Sequence, residues 1–282
     1  MMISIKARAK INLSLDVTAK RLDGYHNIKT IMQTIDLHDK IDIDVINKGI
    51  ELECNSMELP LDNKNLAYKA AELFMSKYDI KSGVRIKIDK NIPIAAGLAG
   101  GSSDAAAVLI GMNKLFNCGM DVTTLISIGK VLGADIPYCI KGGTVFAEGI
   151  GEILSELKAI PMTYIVIVVP KVAVSTKWVY QNLNLNKIYK RPDMNLLFSI
   201  INEGNIALLA QNMVNVLETV TMEKFDIINT IKQKLKEFGA LGSLMSGSGP
   251  SVFGIFRDKS SALEAYQKIK CNDWDLFVTE TT

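Results

Sequence analysis

The sequence predicts an α+β protein, and three observations carry the prediction. Apolar and polar residues alternate along residues 3–15 and again along 83–89, the period of a strand with one buried face. Residues 64–78 instead repeat their apolar positions at helical spacing, at Leu66, Ala70, Leu73 and Phe74. The two patterns follow one another in mixed order, without the strict βαβ alternation of a parallel sheet. A length of 282 residues suits two domains, and the change to helical texture after Pro170 sets them at 1–160 and 161–282.

In chain order, Ile3, Ile5, Ala7, Ala9, Ile11, Leu13 and Leu15 share one face of the first strand. Ser4, Lys6, Arg8, Lys10, Asn12 and Ser14 share the other, so Lys10 and Asn12 point the same way. Asp23-Gly24 marks a turn, followed by strand-like stretches at 28–36 and 40–46. After the helix over 64–78 and the strand over 83–89 comes "IAAGLAGGSSDAAAV", residues 94–108. It leads into a helix of about 103–116 with Ser102, Ser103 or Asp104 as N-cap. A second helix covers about 122–132 and ends at Gly133. Strands are expected in "GGTVFAEG" and "YIVIVVP", then helices near 175–183, 194–202, 205–219 and 223–238. The tail reads strand "ALGSLMS", turn "GSG", strand "PSVFGIF", helix 260–270 and strand "WDLFVTE". This C-terminal half fits a split βαβ sheet with helices on one side.

Composition narrows the function. Hydrophobic content of 48% and charged content of 22% describe a folded chain with a sizeable core. A net charge of +2 argues against nucleic acid or an anionic membrane as partner. Cys54, Cys118, Cys139 and Cys271 form no CxxC, and with only His26 and His38 besides, a structural zinc site is not expected. Scattered thiols fit a reducing compartment. The N-terminus lacks a continuous apolar run, and "YIVIVVP" is too short to span a bilayer. The expectation is a soluble cytoplasmic protein.

The glycine-rich stretch reads as an anion site. A helix N-terminus exposes unpaired N–H groups and the positive end of its dipole, and Gly97, Gly100 and Gly101 let backbone approach a ligand. Spacing alone leaves a flexible loop before a tightly packed Ala-rich helix as an equal alternative. Neither GxxxxGK[ST] nor GxGxxG is present. Three further stretches are weak singly: "KARAKINLSL" with Lys10 and Asn12, "GADIPYC" with Asp135, and "SLMSGSGPSVFGIF" with Ser246, Gly247, Ser248 and Gly249.

Their order along nearly the whole chain strongly resembles the GHMP kinase superfamily, small-molecule kinases that include galactokinase, homoserine kinase and mevalonate kinase. Pro93, Gly97, Leu98, Ala99, Gly100, Gly101, Ser102 and Ser103 match its phosphate loop; Gly247, Ser248 and Gly249 lie in its C-terminal glycine motif. Within the superfamily, "AKINLSL" followed by "DGYH", with "NLAYKAA" and "GADIPYCIKGGTVFAEGIGE", is similar to the branch acting on the cytidine-diphosphate conjugate of methylerythritol.

The resemblance implies an N-terminal ATP-binding domain with a fold like domain 2 of ribosomal protein S5, a ferredoxin-like C-terminal domain, and an active site in the cleft between them. It implies ATP-dependent phosphorylation of the 2-hydroxyl of the conjugate, in isoprenoid precursor synthesis. Asp135 would take the hydroxyl proton, and Lys10 beside it would stabilise the charge of transfer. Asn12, Tyr25, His26, Thr176 and Tyr180 would bind the substrate: Asn12 orienting it, His26 hydrogen-bonding cytosine, Tyr25 stacking on it. ATP would lie on the loop, with its adenine near Asn65 and Leu66. Magnesium would accompany the nucleotide, held chiefly by its phosphates and water, and no residue is named as its ligand. A monomer or weak homodimer is expected.

Overall fold

The computed structural model describes residues 2–282. The chain forms two compact units of non-contiguous segments. One comprises Met1–Ala9, Leu37–Ile94 and Ala99–Gly142; the other comprises Lys10–Asp36, Ala95–Leu98 and Gly143–Thr282. Two long strands, β1 (Met2–Lys20) and β2 (His26–Ile46), contribute residues to both.

In the first unit, β3 (Ile50–Cys54) pairs parallel with β4 (Gly83–Asp89), and β4 pairs antiparallel with β2 from Lys40↔Asp89 to Ile46↔Gly83. Four helices complete this unit: α1 (Leu66–Lys77), α2 (Gly100–Leu115), α3 (Val122–Leu132) and α4 (Ile136–Lys141). Its core joins Ile41, Ile43, Val84, Ile86 and Ile88 of the strands to Ala70, Phe74, Ala105, Val108, Leu109 and Met112 of the helices. Small residues on facing surfaces of α1 and α2 let these helices pack closely.

In the second unit, β5 (Thr144–Glu148) pairs with β2 from Thr30↔Ala147 to Gln33↔Thr144, and β6 (Ile153–Glu156) pairs with β5. The rest is built on β7 (Tyr164–Pro170), β8 (Gly242–Met245), β9 (Val252–Phe256) and β10 (Trp274–Glu280), in the antiparallel order β10-β7-β9-β8. Numbered within this sheet, that order is 4-1-3-2, the split arrangement the tail was expected to form. Helices α5 (Thr176–Asn182), α6 (Met194–Glu203), α7 (Ile206–Asn212), α8 (Glu218–Lys224), α9 (Ile227–Glu237) and α10 (Lys259–Ile269) lie in this unit. Ile228, Ile231 and Leu235 of α9 and Ala262, Ala265 and Ile269 of α10 share a core with Val166, Val168, Val252 and Phe256. Among the described residues no helix is long and apolar enough to cross a membrane.

Several elements differ from the sequence reading. β1 buries both faces between Ala9 and Val17, not one, because its polar residues bond to one another and to backbone. The stretches 28–36 and 40–46 form the single strand β2. The helix expected at about 103–116 starts at Gly100, and its N-cap is Ala99 in the left-handed region at φ 60, with no side-chain cap. The helix expected over 205–219 stops at Asn212, since residues 213–217 turn away to meet β1 at Leu15↔Asn215. β3, β6 and the short α4 are additional elements.

Candidate active site

The polar face of β1 carries the first part of the site. Lys10 is 5% exposed, and its Nζ donates to Asn12 Oδ1 at 2.6 Å and to Gly97 O at 3.2 Å. Asn12 in turn donates from Nδ2 to Thr30 Oγ1 at 2.8 Å, and Thr30 donates to Ser14 O at 2.6 Å. The chain of donors fixes both the Asn12 amide and the ammonium it holds. Asn12 therefore acts on Lys10 before it can act on anything else. Lys10 forms no ion pair among the described residues, so a buried cation is held by neutral oxygens alone.

Above this lysine runs the turn after β8. A Cβ built on Gly247 would lie 3.5 Å from both Lys10 Nζ and Asn12 Oδ1. Ser246 donates from Oγ to Gly97 O at 3.0 Å, and the Ser246 carbonyl would sit 2.3 Å from a Cβ on Gly97, at φ +78. Only glycine tolerates both the conformation and the approach. Thr176, the first residue of α5, brings its hydroxyl to 2.8 Å from that of Ser248. Asn215 clamps the turn, donating to Met245 O at 2.8 Å and Gly247 O at 2.7 Å. Sequence reasoning missed Asn215 because it fell inside an expected helix. Its signal was the pair Asn212 and Asn215, poor residues for a helix interior.

The turn between β1 and β2 presents His26 and Tyr25. Arg21 and Asp23 brace it: Arg21 Nε donates to Asp23 at 3.0 Å, and the Tyr25 N–H donates to Asp23 Oδ1 at 3.0 Å. His26 and Tyr180 of α5 lie with ring centroids 5.3 Å apart at 35°. Tyr25, by contrast, is 61% exposed. Burial, and next the charge of Lys20, holds the His26 imidazole below the usual histidine range. It is therefore neutral near pH 7, with one donor and one acceptor nitrogen.

Within the first unit lies the start of α2. No side chain caps this helix, and the N–H groups of Gly100, Gly101 and Ser102 have no partner among the described residues. Three aligned donors at the positive end of a helix make an anion cradle. Ser103 differs: its N–H takes the Ala99 carbonyl at 2.8 Å and its hydroxyl donates to Arg8 O at 2.6 Å. Leu98 is buried, and its carbonyl accepts from the Lys10 N–H at 3.1 Å. Pro93 is half-buried on the approach to the loop. A Cβ on Gly101 would meet Leu66 Cδ1 at 3.8 Å, so Leu66 borders the cradle. Asn65 is the N-cap of α1, accepting from the Ala67 N–H at 2.9 Å and donating to Pro60 O at 2.9 Å. Asp135 precedes α4 at its N-cap position, and its carboxylate makes no capping hydrogen bond.

The description of the GHMP kinases N terminal domain matches residues 65–143, and that of the GHMP kinases C terminal domain matches 197–275. A protein of Acetivibrio thermocellus named 4-diphosphocytidyl-2-C-methyl-D-erythritol kinase is 58% identical over 99% of both chains. The chain belongs to this family of GHMP kinases. A Clostridium botulinum relative of the same name is 53% identical over 99% of this chain and 100% of its own. A crystal structure titled 4-(cytidine 5'-diphospho)-2C-methyl-D-erythritol kinase superposes with a TM-score of 0.87 at 29% identity, covering 99% of each chain. The expected GHMP fold of the two halves is the fold observed.

Proposed function

We propose that the chain transfers the γ-phosphoryl group of ATP to the 2-hydroxyl of 4-diphosphocytidyl-2-C-methyl-D-erythritol, giving the 2-phosphate and ADP. Membership of the family makes it a small-molecule kinase. The observation that carries the assignment of roles is Lys10, a buried ammonium without a carboxylate partner. Such a charge is costly unless an anion completes it, and a phosphoryl group in transfer is that anion.

In this reading the N–H groups of Gly100, Gly101 and Ser102 bind the nucleotide phosphates. Asn65 and Leu66 flank the adenine. Asp135 accepts the proton of the attacking hydroxyl, which asks for a carboxylate not spent on its own helix. The third N–H of Lys10 stabilises the oxygen charge that develops. His26 and Tyr180 form the cytosine platform, with neutral His26 reading the donor and acceptor edge of the base. Thr176 and Ser248 line the substrate side. Magnesium accompanies the nucleotide and supplies charge neutralisation there. This reading gives the ion its ligands chiefly from phosphates and water. The reading includes a cytoplasmic enzyme, monomeric or a weak homodimer.

The test is ADP release from Mg-ATP with the cytidyl conjugate, homoserine or mevalonate as acceptor. Turnover of the conjugate alone is expected; turnover of another alcohol would remove the cytidine platform. Asp135→Asn should lower kcat by about 10²-fold or more while ATP still binds. Wild-type kcat in that variant would remove Asp135 from the mechanism.

A further inference from the structure

Beneath the start of α2 lies a buried cluster that no step above uses. Lys90, in the segment after β4, is 5% exposed at its side chain. Its ammonium pairs with Asp39 of β2 and with Asp104 Oδ2 of α2, the latter at 2.9 Å. The two carboxylates are 0% and 2% exposed. Asp39 is well satisfied, since its Oδ1 also accepts from the Asn91 and Ile92 N–H groups at 2.6 and 2.7 Å. Asp104 is not, for its Oδ1 is buried with no partner. Lys90 also sits directly under the anion cradle: a Cβ on Gly100 would fall 2.9 Å from its Nζ.

We propose that Asp39, Lys90 and Asp104 form a buried positioning site for the nucleotide phosphates. Lys90, clamped between the two carboxylates against Gly100, is the charge that lets the start of α2 accept a triphosphate, and a proton on Asp104 sets the strength of that acceptance. The charge count supplies the reason. Two carboxylates and one ammonium total −1, which repels phosphate at the N–H groups of Gly100 to Ser102. With Asp104 protonated the cluster is neutral, and the helix dipole acts on the ligand unopposed.

The surroundings permit that proton. Burial, opposed by Lys90 and helped by Asp39, pushes the Asp104 carboxyl up to about 7. Burial pulls the Lys90 ammonium down, but Asp104 and Asp39 outweigh it and hold the group above its ordinary value. The charged groups acting on Asp104 are thus Lys90 and Asp39. Arg8 of β1 meets this part of α2 through its carbonyl, on Ser103. The helices α1, α3 and α4 bring apolar side chains, among them Phe74, Leu125 and Ile136.

The inference rests on ATP binding at α2, so it is tested by binding and not by turnover. ATP dissociation constants are measured by calorimetry, with saturating magnesium, at pH 6 and pH 8.5 for the wild type and Asp104→Asn. The ratio of wild-type to variant Kd should rise several-fold between the two pH values. Taking the ratio cancels the titration of ATP itself. A ratio that does not change with pH overturns the proposal. Lys90→Met should weaken ATP binding about tenfold, and a folded Lys90→Met within twofold of wild type also overturns it. If that variant does not fold, the Asp104→Asn ratio still decides. A wild type that binds no ATP would instead overturn the kinase reading and this proposal with it. Turnover of an unexpected alcohol would leave the proposal standing.

Discussion

Two buried lysines show how the same residue type can be built for opposite ends. Lys10 is 5% exposed and is held by an amide oxygen and a carbonyl, with no carboxylate. Lys90 has a buried side chain held by two carboxylates. A buried ammonium bonded only to neutral oxygens keeps its field available to whatever binds next. A buried ammonium between two carboxylates spends its field on the fold, and leaves a negative excess to be managed by a proton. Where the counter-charge sits therefore separates the role proposed for Lys10, waiting for substrate, from that proposed for Lys90, positioning other groups.

The comparison can be broken most directly by deleting each cation. Lys90→Met strands Asp39 and Asp104 without a counter-charge, and should cost about 3–5 kcal/mol of stability. Urea unfolding of the variant would read this as a large fall in the midpoint, and an unchanged midpoint would deny Lys90 its structural role. Lys10→Met strands no carboxylate, so its midpoint should move far less. Its kcat should instead fall about 10²–10³-fold, the loss expected for a donor to developing charge. A wild-type kcat would end the contrast from the other side.

A smaller effect is expected at the base platform. His26→Ala should raise KM for the cytidyl conjugate about tenfold and leave KM for ATP unchanged, because only the former loses a hydrogen-bonded, stacked ring. Equal changes in both constants would mean that His26 supports the fold and not the substrate.

The most delicate test is the pH dependence of stability. Asp104 has its folded pKa raised from 3.8 to about 7. Between those values the folded state keeps a proton that the unfolded chain has released. Its contribution is fully present below about pH 4 and is lost as pH rises towards and through about 7. The unfolding free energy of the wild type minus that of Asp104→Asn should therefore decline across this window and level off above it. A flat difference would show that Asp104 does not hold the proton.

Much of the fold was legible because its elements obey local rules. β4 and β7 run over the residues expected from alternation and apolar content, and α3 covers the expected 122–132 and stops before Gly133. The split sheet of the tail was legible from its succession of strands and helices, and the structure supplies the strand order within it. That Lys10 and Asn12 share a strand face and that the glycine loop runs into a helix were legible because strand period and helix-start rules are local. The failures have one cause. Residues 213–217, apolar apart from Asn215, leave the helix for a bridge with Leu15, two hundred residues from Asn215 in sequence. Asn215 then becomes the clamp of the glycine turn, a role no neighbouring residue announces.

The sequence by itself determined the α+β class and the family and marked the glycine loop as a candidate anion site, since periodicity, backbone freedom and motif order are properties of the chain. Only the tertiary structure decided how its charges are compensated. Nothing in "IDKNIP" or "GSSDAAA" distinguishes Lys90 from a solvated lysine or Asp104 from a helix cap. Folding brings Asp39, Lys90 and Asp104 together out of water, and it is desolvation at close range that turns three ordinary side chains into one cluster sharing a proton.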